Sequence, residues 1–297
     1  MSAELILEAR DLVHTYAGGH TALRGISLGI RPGEFVAFVG ANGSGKTTLM
    51  KHFNGLLKPT QGQFLVSGRD TRKTTVSRLA QTIGFVFQNP DHQIFCYSVW
   101  EETLFGLQQQ KLPPAEAQAR AARALEMVGL ADRRDRHPRE LSRGQRQRLA
   151  TASVLAMETP VLVLDEPTTG QDFTARRQIM SLAVDLHQRG RTIIMVTHDM
   201  ALVAEYATRA IVLHAGQVAQ DAAPADIFLQ PELLARTGLR LPPLLELAQA
   251  LRAEGWPVEG HTVAALAQSL QAALPAAPWT SPGAASAPHP SESHARH

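Results

Sequence analysis

The sequence predicts an α/β fold, a mostly parallel sheet covered by helices on both faces. Three observations carry this expectation. Short apolar runs recur at 34–40, 83–87, 161–165, 192–196 and 210–214, too uniformly apolar for strands with a wet face. Helical patterns separate them, and that alternation builds parallel sheets. The first run also passes through a glycine-rich turn directly into a helical pattern. A chain of 297 residues that is 44% hydrophobic suits one large domain with a small appendage.

Taken in order, residues 4–16 and 22–30 alternate or run apolar, with Gly18 and Gly19 between them, and read as two antiparallel strands. "EFVAFVG" at 34–40 is a buried strand ending in glycine. "IGFVF" at 83–87 is another, and it runs straight into "QNPDHQIF", a mixture too long and too varied for a simple hairpin turn. Residues 99–157 contain no convincing strand; "PPAEAQARAARALEMVGL" is an Ala-rich helix with a proline start, so this block reads as a helical insertion. After "VLVLD" at 161–165, a helix is expected over 172–188 with Phe173, Ile179, Leu182 and Leu186 on one face and Gly190 as its stop. "TIIMV" and "AIVLH" complete the buried strands. From Pro224 onward, small helical pieces joined by Pro and Gly form an appendage, and 275–297, rich in Pro, Ala, Ser and His, is expected to be disordered. Solvated tail outweighs metal binding as the reading of His289, His294 and His297.

Composition narrows the function. A formal charge of +2 does not by itself imply a nucleic-acid partner. The single cysteine, Cys96, cannot close an internal disulfide. The acidic start "MSAELILEAR" is unlike a signal peptide, and no run of about 18 apolar residues predicts a membrane span. A soluble, cytoplasmic chain is expected, one that can still dock on a membrane protein.

Three motifs carry chemistry. "GANGSGKT", Gly40 to Thr47, fits G-x-x-x-x-G-K-[ST] between a strand and a helix. Its glycines let successive N–H groups face a phosphate, and the helix adds its positive end. Lys46 is placed to reach the β- and γ-phosphates and Thr47 to offer its hydroxyl to Mg²⁺. "VLVLDE" ends a central strand in Asp165, suited to Mg²⁺, and Glu166, suited to take a proton from attacking water. "ELSRGQRQRLA" at 140–150 has two opposed readings. Its arginines, with Arg133, Arg134, Arg136 and Arg139 before them, form a basic run of the kind that binds nucleic acid. Alternatively "LSRGQ" opens a helix whose N–H groups face a second anion, one supplied across a dimer interface.

With these motifs in this order, and "VTHD" 33 residues beyond Asp165, the chain resembles the ATP-binding cassette (ABC) ATPases over about residues 3–225. The resemblance implies a P-loop NTPase with a RecA-like core, an antiparallel β-subdomain and a helical signature subdomain at about 99–157, followed here by the appendage, 226–274. It implies ATP and Mg²⁺ as cofactors and a head-to-tail dimer, with a second copy or a paralogue, sandwiching two ATPs. The nucleotide would be held by Gly40, Ala41, Asn42, Gly43, Ser44, Gly45, Lys46, Thr47 and Thr48, with Tyr16 stacked on adenine. Thr47, Gln88 and Asp165 would bind the metal. Glu166, His198 and Gln88 would serve hydrolysis. Ser142, Gly144 and Gln145 would face the partner's γ-phosphate, and Asp172 would end the loop that crosses the interface. Two positions depart from the family pattern: Arg143 replaces the signature's usual first glycine, and Gln171 replaces a leucine of the interface loop.

"FQNPDHQIF" followed by "SVWEETLFGL", and the cadence "ELLARTGLRLPPLLELAQALRAEGWPV", resemble the ATPases of energy-coupling factor (ECF) transporters and their cobalt/nickel relatives. These power uptake of vitamins or transition-metal ions. By that resemblance the chain sits on the cytoplasmic face of the membrane, an integral membrane subunit docks near Asp91, His92, Gln93, Ile94 and Phe95, and a substrate-binding membrane subunit acts indirectly. The alternative is an ABC-type ATPase acting on nucleic acid or the ribosome. It fits less well: members of that class insert long coiled coils or Cys-rich zinc modules between these motifs or carry two cassettes, whereas Lys46 and Asp165 here are 119 residues apart, with one cysteine and one cassette in this sequence. A nucleotide kinase would need neither "LSRGQ" nor His198. No nucleic-acid partner is expected.

Overall fold

The computed structural model describes residues 4–260 and 263–273. Strands β1 (Leu7–Thr15), β2 (Thr21–Ile30) and β3 (Phe35–Val39) lead into helix α1 (Lys46–Phe53), then β4 (Gln61–Val66) and β5 (Arg69–Asp70). A single helical turn, α2 (Val76–Leu79), precedes β6 (Ile83–Val86). Three helices follow with no strand among them: α3 (Val99–Gln109), α4 (Pro114–Met127) and α5 (Arg143–Ala156). Alternation then resumes with β7 (Val161–Asp165), α6 (Phe173–Gln188), β8 (Thr192–Val196), α7 (Met200–Tyr206), β9 (Arg209–His214) and β10 (Gln217–Ala222). Four helices close the described chain: α8 (Pro224–Phe228), α9 (Pro231–Thr237), α10 (Pro243–Ala253) and α11 (Val263–Ala273).

The larger sheet has the order β10-β9-β3-β8-β7-β6. Its strands from β9 to β6 run parallel, and only β10 is antiparallel. Every residue of β3 and β8 is buried, as strands covered on both faces must be. The order brings the carboxyl ends of β3, β8, β7 and β6 side by side, where parallel sheets bind ligands. The smaller sheet, β2-β1-β4-β5, is antiparallel. Between the sheets, one apolar cluster includes Leu7, Ile30, Phe38, Phe53 and Phe64, with Phe53 stacked on Phe64 at 5.0 Å.

Three strands escape a reading by hydrophobic period. β4, β5 and β10 are short and polar, and β4 carries Gly62, which reads as a break. In the structure this glycine lies under the bulge of β1: a Cβ there would come within 2.1 Å of the Asp11 carbonyl oxygen. Between β6 and β7 the chain forms helices α3, α4 and α5. α4 turns Ala117, Ala121, Ala124 and Leu125 inward, and these small side chains let it lie close against α3 and α5. Five arginines of the basic run have partners within the chain. Arg133, Arg134 and Arg136 pair with Asp132, Asp135 and Glu140; Arg146 pairs with Asp91; Arg148 bonds the Val128 carbonyl.

One expectation needs correction. Phe173 does not share the buried face of α6: it is 77% exposed, because it is the first helical residue and projects beyond the elements that cover Ile179, Met180, Ala183 and Leu186. The chain divides into two compact units at Pro242–Pro243. α8 and α9 belong with the first unit, where α8 packs on α7, β9 and β10. The second unit, described for α10 and α11, has its own small core of Ala248, Val258 and Leu266. The expected tail, 275–297, lies outside the described residues.

Candidate functional site

The glycine-rich turn joins β3 to α1. Gly40 has φ +149°, and a Cβ there would sit 2.2 Å from the Leu213 carbonyl oxygen and 2.8 Å from Ser44 Oγ. Only glycine lets the turn pass this close to β9. Ala41, Asn42 and Gly43 are exposed, while the buried Ser44 Oγ has no hydrogen-bond partner. Gly45, left-handed at φ 106°, opens α1. An orphaned hydroxyl at the start of a helix, in a turn with glycine-only geometry, fits a bound phosphate. Lys46 Nζ donates to the Gly40 and Ala41 carbonyls at 2.7 and 3.0 Å. Partial burial lowers its pKa, and the nearby charges of Glu166 and Asp165 oppose that shift. Thr47 is exposed at the helix start, and the buried Thr48 meets the Tyr16 hydroxyl at 3.1 Å. Tyr16 is half-exposed and packs its ring edge-on against His14 at 4.7 Å.

Asp165 ends β7. Burial, then the adjacent charge of Glu166, push its pKa up to about 6, with Lys46 acting against them. Two crowded carboxylates beside a single ammonium form a donor set that a divalent cation would relieve. Glu166 has φ +47°, unusual for a residue with a side chain, and its N–H donates to Val196 O at 2.8 Å. Its carboxylate is held from three sides. His198 approaches Oε1 through Nδ1 at 2.8 Å and through its backbone N–H at 3.1 Å. Thr169 and Thr197 hydroxyls donate to Oε2 at 3.3 and 3.4 Å. Gln88 is exposed just beyond β6.

The four neighbouring strand ends therefore gather Lys46, His198, Glu166, Asp165 and Gln88 along one sheet edge. Ser142, Gly144 and Gln145 stand apart. Among the described residues no hydrogen bond joins them to the phosphate loop. Ser142 caps α5: Gln145 N–H donates to Ser142 Oγ at 3.3 Å, and Ser142 N–H donates to Gln145 Oε1 at 2.9 Å. Gln145's side-chain oxygen is thus used within its own chain. Asp172 caps α6, accepting from Ala175 N–H at 2.8 Å.

Motif reading missed Thr169 and Thr197 as partners of Glu166. Thr197 stands inside "VTHD", but nothing in the sequence says its hydroxyl turns to Glu166. It also missed Arg176, which pairs with Asp199 and so ties α6 to the His198 turn.

Residues 23–169 match the family model described as ABC transporter. An ABC transporter ATP-binding protein of Methanosarcina mazei is 48% identical over 86% of this chain. The ECF transporter ATP-binding protein EcfA of Methanocaldococcus jannaschii is 40% identical over 87% of this chain and 94% of its own length. The chain belongs to the ABC transporter ATP-binding family. These relatives are named for binding ATP, and the glycine-rich turn of this chain has the geometry of a phosphate loop. The chain spans only 43% of the Methanosarcina mazei relative. Among solved structures, Clostridium perfringens cbiO1, described as part of the ABC transporter complex cbiONQ, matches with TM-score 0.70 at 38% identity, covering 83% of this cassette and 99% of that chain. A dimeric post-hydrolysis cassette bound to ADP and Pi matches with TM-score 0.67 at 31% identity, covering 73% of this chain and 98% of that one.

Proposed function

We propose that this chain is the ATP-hydrolysing subunit of an ECF-type importer of a vitamin or transition-metal ion, working as one half of a head-to-tail cassette dimer on the cytoplasmic face of the membrane. One observation carries the coupling role. The segment that leaves the nucleotide edge at Gln88 goes on to wall an apolar groove of about 580 Å³ between the core and the helical subdomain. Leu56, Val76, Phe85, Phe87, Phe95 and Phe105 line it. Gln93 fastens the segment in place: its Oε1 accepts from Phe87 N–H at 3.3 Å, and its Nε2 donates to Ala150 O at 3.0 Å. Phe95 is 64% exposed and meets Phe105 edge-on at 4.7 Å. A helix of an integral membrane subunit seated here would press on Gln88 and on the signature helix together. Asp91, paired with Arg146 of α5 at 2.8 Å, lies on the same path.

In hydrolysis, Tyr16 and the loop from Gly40 to Thr48 bind the nucleotide. Thr47, Asp165 and Gln88 would hold Mg²⁺, which when bound neutralises charge on the β- and γ-phosphates. Glu166 takes the proton of the attacking water, and His198 holds that carboxylate in line. The name EcfA borne by relatives and the dimeric form of the ADP-bound cassette support this reading.

Phe95→Ala tests the docking role. The variant is expected to keep the melting midpoint and basal ATPase of the isolated chain. It should lose co-purification with an integral membrane partner and the transport that depends on it. A fall in melting midpoint and ATPase together would make Phe95 a packing residue, and normal transport by the folded variant would refute the assignment.

A further inference from the structure

Each of the two departures from the family pattern lies against the segment that carries the other. A methyl placed on Gly170 would lie 3.6 Å from Arg143 Cζ, 3.7 Å from Nη2 and 3.8 Å from Nη1. The central carbon is the nearest of the three, so the guanidinium presents its flat face to Gly170 and not an N–H edge. A methyl on Gly144 would lie 3.3 Å from Gln171 Oε1. The signature turn and the interface loop of the same chain are thus packed together by the two residues that depart from the pattern. Arg143 has no ion-pair partner among the described residues, and it opens a helix, where a positive charge is disfavoured. Its contact with Gly170 is made by shape and by the planar face, a use of arginine that lysine cannot copy.

The other end of this loop reaches the carboxylate. Thr169 N–H donates to Glu166 O at 3.2 Å, and Gln171 N–H donates to Thr168 O at 3.2 Å, so 166–171 is wound into consecutive turns. From within those turns Thr169 offers its hydroxyl to Glu166 Oε2. We infer that Arg143 and Gln171 are positioning residues for Glu166: they clamp the 168–172 loop onto the signature turn of their own chain, and the clamp holds Thr169 against the carboxylate. The inference rests on Glu166 being the general base.

The test uses the full chain with Arg143→Ala, Arg143→Lys, Gln171→Leu and the Arg143→Ala/Gln171→Leu double variant. Thermal melting checks that each folds. Hydrogen exchange at the Thr169 and Gln171 amides should quicken roughly tenfold in Arg143→Ala and equally in Arg143→Lys, since a loosened loop opens more often. Turnover should fall about tenfold with KM within about twofold, the sign of a misplaced group and not of weaker ATP binding. The double variant should be no worse than the poorer single one, because either change opens the same clamp. Unchanged exchange, an Arg143→Lys protein that behaves as wild type, or additive losses in the double variant would each overturn the inference. Glu166→Gln is run beside them. If it hydrolyses ATP normally, the assignment of the base fails, and exchange alone then decides whether the clamp exists.

Discussion

Replacing Glu166 by Gln would remove the proposed proton acceptor while disturbing little else. The carboxylate takes its two shorter contacts, 2.8 and 3.1 Å, on Oε1 from His198, and two longer ones, 3.3 and 3.4 Å, on Oε2 from Thr169 and Thr197. A glutamine that turns its oxygen to His198 keeps the shorter pair. Its amide nitrogen then faces two hydroxyls, which can rotate from donor to acceptor. Folding and ATP binding should survive. The loss is the base itself, worth about 10²–10⁴ in rate. At about 1.36 kcal/mol per decade this corresponds to roughly 2.7–5.4 kcal/mol of barrier. Phosphate release at saturating ATP measures it, and sedimentation with and without ATP should show ATP-bound dimers that no longer come apart. Phosphate release within a few-fold of wild type, by a variant with an unchanged melting midpoint, would refute the assignment.

Three further outcomes are expected. Gly40→Ala should lose ATP binding and destabilise the fold by more than about 2 kcal/mol, because the added methyl collides with backbone, whereas Gly43→Ala, with nothing within 4 Å of its Cβ at φ +79°, should cost about 1 kcal/mol; equal melting midpoints for the two would contradict this. Burial pushes the His52 imidazole down to about 4, and its Nδ1–H donates to Thr48 O at 2.8 Å. The unfolded chain protonates below about 6.5 while the folded chain resists, so His52 draws stability down as pH falls from about 6.5 to 4, by up to about 3 kcal/mol. Asp165, raised to about 6, acts with the opposite sign as pH falls through that value, so the quantity to measure is the pH slope of denaturant stability in wild type minus that in His52→Leu; a zero difference would show that His52 is not held neutral. Finally, a chain ending at Pro242 should retain the melting midpoint and ATP affinity of the first compact unit, and loss of either would place the second unit's helices within its fold.

Much of the cassette was legible because its signals are local. Each buried strand of the parallel sheet is an unbroken apolar run, and covering both faces of a sheet demands that. The glycine-rich turn between β3 and α1 was legible because its glycines and lysine are adjacent in sequence. β4, β5 and β10 were not, because an edge strand or a partly wet strand shows no clean period, and Gly62 carries a packing need that only the bulge of β1 creates. Phe173 misled for a related reason: periodicity assigns a face but cannot say whether anything covers it at the helix's first turn.

The sequence by itself determined the chemistry on offer: which side chains are suited to phosphate, metal and proton, and their order along the chain. It also showed that Arg143 and Gln171 were unusual, 28 positions apart and without apparent connection. Tertiary structure alone decided which groups act together. Parallel pairing of β8 with β7 places His198 beside Glu166, 32 residues away in sequence, because the crossover through α6 carries the chain back so that both strands end at the same edge of the sheet. The same folding lays the signature turn beside the 168–172 loop, with Arg143 against Gly170 and Gln171 against Gly144. Hydrogen bonds and ring faces act over a few ångströms, and a linear pattern holds no record of which distant residues will come within that reach.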